Sequence, residues 1–149
     1  MRRMLPAAGL ILLLGGCGHE AATFEDYQAR LVTFPNGKQV RAESMLTDAD
    51  RSRGMMFRDS IAPDRGMLFF HTALGKYKYW MYQTRIPLDI IWMDRDRRIV
   101  EISADTPPCT TEAGECPNYG GNYEALYVLE LGGGMAAKYG LKVGDSLRF

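Results

Sequence analysis

The chain has 149 residues, with 18 basic and 18 acidic side chains and a formal net charge of zero. That balance implies no basic face, so nucleic acid is not an expected partner, and the length serves one hydrophobic core better than two. Two histidines and three cysteines give little material for metal or nucleophilic chemistry, and no cofactor and no metal are expected.

The first sixteen residues have the three parts of an export signal. Arg2 and Arg3 form a basic start, residues 5–14 an apolar run, and Gly15 and Gly16 the small residues that a signal peptidase needs. A run of about ten residues is half of the roughly 20 that cross a bilayer as a helix, so a permanent span is the weaker reading. The paired arginines lack the polar lead and following motif of twin-arginine signals. Leu14-Gly15-Gly16-Cys17 resembles the lipobox of bacterial lipoproteins, which implies cleavage before Cys17 and lipidation of that cysteine. Each buried methylene adds about 0.8 kcal/mol of membrane affinity, so two or more acyl chains hold a protein stably. Residues 1–16 are therefore expected to be a signal peptide, 17–25 a lipidated tether and 26–149 a single globular domain. The expected location is the periplasmic face of the outer membrane, if the source has two membranes. The domain's partners would be the membrane, through the lipid, and an unknown ligand or envelope protein. Without Arg2 and Arg3 the mature chain has 16 basic against 18 acidic residues, about −2.

After the tether, residues 28–34 read as a strand, Pro35-Asn36-Gly37-Lys38 as a hairpin turn and residues 39–45 as its partner. Thr47 followed by Asp50 is a capping-box variant that starts a helix through Arg51, Arg53 and Met55, with Gly54 near its end. Residues 66–70 and 77–82 are apolar and aromatic, and residues 88–93 are a continuous apolar run typical of a buried strand. Asp94-Arg95-Asp96-Arg97 turns the chain into residues 98–103. Residues 126–131 form another strand, residues 135–139 a short helix stopped by Gly140, and residues 146–149 a closing strand. The expected class is α+β, mainly β: an antiparallel sheet or a small, partly open β-barrel with two short helices.

With Cys17 lipidated, Cys109 and Cys116 remain as an even pair in an oxidising compartment, where a disulfide is favoured. The alternatives are a reactive thiol and a metal pair, although metal sites show tighter spacing with further ligands nearby.

The strings RGMMFRDS, DRGMLFF, YWMYQTRIPLDIIWMD, PPCTTEAGECPNY and YVLELGGGMAAKYGLKVGD, in this order between Thr47 and Asp145, together resemble the prokaryotic family known as domain of unknown function 192. The family's Gly-Leu-Met-x-Arg turn falls on Gly54, Met55, Met56 and Arg58. Its Gly-Met-Leu-Phe falls on Gly66 to Phe69, and its Phe-Trp-Met-x-Asn-Thr on Tyr79 to Thr84, followed by Pro87, Leu88 and Asp89. Gln83 stands where the family pattern has asparagine. The resemblance implies a compact, mainly β domain, often on secreted or anchored proteins, and no established reaction. Ala136 to Asp145 also resembles the helix-to-strand passage of PDZ domains over ten residues, but no carboxylate-binding loop lies upstream in register.

Motifs of serine hydrolases, zinc proteases and P-loop enzymes are missing, and His71 reads as a structural histidine. The methionines sit in core-like strings, which suits packing better than copper binding. The polar residues inside apolar strings are Arg58, Thr84, Asp89 and Glu130. Glu130 alternates with Leu129 and Leu131, which by simple alternation faces solvent. Arg58 and Asp89 can form an ion pair that fixes the fold. Alternatively Arg58, Thr84, Asp89 and Glu130 line a polar cleft walled by Trp80, Tyr82 and Tyr119, where arginine holds an anion and the aromatics a flat or apolar ligand. No catalytic residue is assigned. Three functions stay open: a non-catalytic binding module at the envelope, which is favoured; an enzyme in which Arg58, Asp89 and Glu130 converge; and a structural envelope protein.

Overall fold

The computed structural model describes residues 28–149; the expected signal peptide (1–16), Cys17 and the expected tether (17–25) lie outside the described residues. Eight strands and two short helices follow in order: β1 (Ala29–Thr33), β2 (Gln39–Met45), α1 (Asp48–Arg53), β3 (Arg65–Gly75), β4 (Lys78–Trp80), β5 (Leu88–Met93), β6 (Ile99–Thr106), β7 (Asn118–Gly120), β8 (Ala125–Gly132) and α2 (Met135–Tyr139). The class is α+β, mainly β. Six strands form one open sheet in the order β1-β2-β3-β8-β5-β6, and β4 pairs with β7 in a separate ribbon. The sheet is mixed. Four of its pairs are antiparallel, while β2 and β3 run parallel because the α1 connection carries the chain back to the same end.

Local chemistry accounts for most element ends. Gly37, at φ 81, lets the chain reverse between β1 and β2. Thr47 accepts a hydrogen bond from the Asp50 amide and Asp50 reaches back to the Thr47 amide, so both halves of the capping box form. Helix α1 stops at Arg53 rather than running through Met55, because Gly54 takes φ 44 and ψ −132. Residues 146–149 do not make a closing strand. They contribute only isolated bridges, Arg148 to Thr33 and Ser146 to Arg98. Among the described residues, no helix is long and apolar enough to cross a membrane.

Both faces of the sheet are covered. On one face Val40, Leu68, Ile91 and Leu131 pack with Ala136 of α2 and with Leu141 and Leu147. On the other, Met67, Phe69, Ile90, Trp92 and Val128 pack under Met55, Met81 and the β4–β7 ribbon. This double cover explains the unbroken apolar run of β5, which is buried at every position. Four methionines, Met55, Met67, Met81 and Met93, are all buried in these cores. The ribbon sits close on the sheet. A Cβ at Gly120 would fall 2.2 Å from the Trp92 ring, and the Trp92 indole donates to the Tyr77 carbonyl at 2.9 Å.

Cys109 and Cys116 are joined in a disulfide with a sequence separation of seven. Cys109 also ties the turn at residues 81–84: its amide donates to the Met81 carbonyl at 3.1 Å, and its carbonyl accepts from the Gln83 amide at 2.9 Å. Closing so short a loop contributes about 2.5 kcal/mol by restricting the unfolded chain. A domain of this size loses about 4 °C in Tm for each kcal/mol. Replacing both cysteines by serine is therefore expected to lower Tm by about 10 °C in differential scanning calorimetry, and an unchanged Tm would refute the assigned role.

Candidate functional site

Alternation on two strands builds the site. Along β8, Glu130 faces the same side of the sheet as Val128, and across the parallel pair Met67 of β3 lies between Glu43 of β2 and Glu130. Along β4, Tyr79 turns inward onto Phe69 and Trp92, with ring centroids 5.2 and 5.8 Å away. Its neighbour Trp80 turns outward, 43% exposed. The end of α1 and the turn after it lie opposite.

Between these walls runs a two-part groove. The inner notch, with room for about 30 Å³, is lined by Gly54, Met55, Phe69, Thr84 and Glu130 together with Arg51, Ser52, Tyr79 and Trp80. The outer room, about 330 Å³, shares those last four residues and adds Asp48, His71, Tyr77 and Lys78. Arg51 is fixed in place by donating to the Leu46 and Phe70 carbonyls at 2.6 and 2.9 Å and by pairing with Asp48.

Glu130 is buried, not turned to solvent as alternation along one strand suggested. Its far side is covered by α1 and the ribbon, so both faces of β8 are interior. Its Oε2 has no hydrogen-bond partner among the described residues. Burial pushes the carboxyl up to about 8, against a smaller opposing pull from Arg58. Glu130 is therefore mainly protonated at neutral pH. The Arg58 guanidinium meets Glu43 with two parallel contacts of 2.7 Å, a bidentate geometry. Tyr79 is pushed well above the ordinary phenol range, by burial first and second by Glu130, which is ionised at the alkaline pH where a phenol titrates. Its hydroxyl lies 3.1 Å from His71 Nε2. Burial, helped by Arg51, pushes His71 down to about 4, so this imidazole is neutral. It stacks on Tyr77 with centroids 3.5 Å apart.

The residues expected to share a cleft are thus divided. Trp80, Thr84 and Glu130 line one groove, and Arg58 stands beside them on Glu43. Tyr119 pairs with Tyr79 across the ribbon, behind the groove. Asp89 lies on the opposite face, aligned with Leu131, and its carboxylate accepts from the amides of Asp105, Gly134 and Ala136 at 2.7, 3.0 and 2.5 Å. The expected Arg58–Asp89 pair gives way to Arg58–Glu43. With a sheet between Asp89 and Glu130, the three charges that an acid–base enzyme would need do not converge. Among the described residues, no group of three or more histidine, cysteine or carboxylate side chains could hold a metal ion.

Several groove residues escaped the sequence reading. Tyr79 and Gly54 were visible only as parts of motifs, and His71 as an isolated histidine. Backbone strain lies in the turns just after Met55 and just before Thr84. Phe57 and Gln83 are large side chains at φ 66 and 55, and the Phe57 amide donates to the Gln83 carbonyl at 2.9 Å. Such left-handed conformations persist where the surroundings impose them. They also explain why asparagine suits position 83, since its short side chain tolerates this region best. Gln83→Asn is expected to stabilise the domain by about 0.5–1 kcal/mol, a Tm rise of about 2–4 °C. A fall in Tm would mean that the amide length serves something other than the turn.

The family described as DUF192, an uncharacterized ACR, matches residues 31–149. Two solved structures resemble this one with TM-scores of 0.70. One is a Novosphingobium aromaticivorans protein of unknown function, 33% identical, with 81% of this chain and 84% of that one covered. The other is a Sinorhizobium meliloti protein called a "putative transcription regulator", 28% identical, with 79% and 89% covered. No curated protein matches the chain.

Proposed function

The chain belongs to this uncharacterised family, and on that footing we propose that it is an envelope-anchored, non-catalytic binding domain for a small uncharged polar ligand. The ligand lies in the groove between the end of α1 and β4, with its polar head toward Glu130. The observation that carries this reading is the unpartnered, buried Oε2 of Glu130 at the notch wall. Leaving a buried polar atom without a partner costs about 1–3 kcal/mol, and such a cost, set beside an exposed tryptophan on the same groove, fits a site kept for a ligand. A protonated carboxyl donates and accepts, which suits a neutral head group.

The test is a ligand-observed NMR screen of neutral fragments against the wild-type domain, Glu130→Gln and Trp80→Ala. Saturation transfer is expected with the first two and not with Trp80→Ala. Hits that persist in Trp80→Ala, or a screen without any hit, would overturn the reading.

The anchor is supported by the basic, apolar and small-residue order of residues 1–16 and by the cysteine at 17. The disulfide fits an oxidising compartment outside the cytoplasm. Metabolic labelling with an alkyne-bearing fatty acid should mark the wild-type chain and leave Cys17→Ser unlabelled. Label on both would remove Cys17 as the attachment point. Nucleic-acid binding finds no support in a mature charge of about −2.

A further inference from the structure

We propose that the groove takes a neutral pyranose, a single sugar ring seated against Trp80 with one hydroxyl reaching Glu130. This rests on the binding reading above and narrows it to a ligand class. Three properties of the groove point to carbohydrate.

The first is the platform. Trp80 is exposed at 43% and braced by Tyr82, whose ring lies 5.2 Å away. Across the outer room stands Tyr77, held flat against His71. Rigid aromatic faces suit a molecule with an apolar face of its own, and a pyranose has one in its axial C–H groups.

The second is charge. Asp48 and Arg51 are already paired with each other, and Ser52, Lys78 and neutral His71 complete the rim. With Asp48 and Arg51 paired, the Lys78 ammonium is the one net charge of this lining. It disfavours a cation, while ring hydroxyls find an ammonium donor together with the Ser52 and tyrosine hydroxyls as partners of both kinds.

The third is size. The outer room of about 330 Å³ stands near the lower end of small-molecule sites, which run from roughly 300 Å³ upward. The inner notch, about 30 Å³, admits little more than one oxygen. A hydroxyl both donates and accepts, so it satisfies Glu130 whichever carboxyl oxygen carries the proton. A carbonyl or an ammonium head meets only one of these arrangements.

The experiment is a titration of the isotope-labelled domain, residues 26–149, with methyl β-glucopyranoside and, in parallel, with cyclohexanol, a ring of similar size with a single hydroxyl. The domain's fold is checked first by its melting curve and amide spectrum. The glucoside is expected to shift the amides of Tyr79, Trp80, Thr84 and Glu130 with a Kd on the order of 1–10 mM, typical for so few atoms. Trp80→Ala should weaken it by at least about tenfold and Trp80→Phe by much less, as expected for lost ring stacking. Cyclohexanol should bind at least about tenfold more weakly, because it leaves the rim groups unpaired. Cyclohexanol binding as well as the glucoside, or in place of it, would overturn the sugar assignment and leave the binding domain standing. Neither binding, or glucoside shifts confined to another surface, would overturn the sugar assignment at this groove, while the binding reading itself falls only by the fragment screen.

Discussion

Asp89→Ala is expected to be the most destabilising single substitution among the residues expected to line the cleft, at about 3–5 kcal/mol for three buried donors left unpaired, or a fall in Tm of about 12–20 °C. The carboxylate is fully buried and accepts three backbone amides, two on Oδ1 and one on Oδ2. Gly134 and Ala136 belong to the first turn of α2, so a strand residue supplies the cap which that helix lacks in its own sequence. Alanine leaves all three amides without an acceptor in a site that water does not reach. Asp89→Asn keeps one oxygen and should fall between the wild type and alanine. The amide exchange of Asp105, Gly134 and Ala136 should quicken in both variants. A loss below 1 kcal/mol in Asp89→Ala would show that the three bonds are replaceable and that this account of Asp89 is wrong.

Stability should fall as pH rises, and Glu130→Gln should abolish the fall. A carboxyl raised from 4.5 to about 8 in the folded state binds a proton more tightly there than in the unfolded chain. Its contribution is therefore fully present below about 4.5 and is lost as pH climbs through about 8. At roughly 1.4 kcal/mol per pH unit, the span corresponds to a loss on the order of 4–5 kcal/mol. His71 acts with the opposite sign. Its lowered value, about 4 against 6.5, removes stability as pH falls between those limits. The two slopes oppose each other between about 4.5 and 6.5, and Glu130 acts alone from 6.5 to 8. Melting curves should thus be nearly level in the first interval and drop in the second. Glu130→Gln, neutral throughout, should melt well above the wild type at pH 9. Parallel curves for the two proteins between pH 6.5 and 8.5 would rule out a protonated Glu130.

What the sequence disclosed is local. The strand 39–45, the buried run 88–93 and the helix 135–139 have in the structure the bounds read from the sequence, because each end is marked by a turn, a charge cluster or a glycine. The pairing of β2 with β3 and the ribbon of β4 with β7 are non-local choices with no such mark. Glu130 was misjudged for a related reason. Alternation tells which residues share a face of β8, but not that both faces are covered. Asp89 bonds with groups 16 to 47 residues away, beyond any spacing rule. Of the groove, Thr84 and Glu130 were legible as polar residues in apolar strings and Trp80 as an aromatic wall. Gly54, Tyr79 and His71 gain their meaning only from what the fold brings opposite them.

The order of the sheet also sets when this protein can fold. β8 is the last strand in the chain, yet it lies between β3 and β5. The β1-β2-β3 half and the β5-β6 half have no pairing with each other until residues 125–132 arrive. A chain threaded through a pore from its N-terminus therefore carries two unfinished half-sheets until its final portion emerges, and only then can long-range pairing begin. Folding should accordingly be slow and cooperative, with the groove around Glu130 completed in the same step that joins the halves.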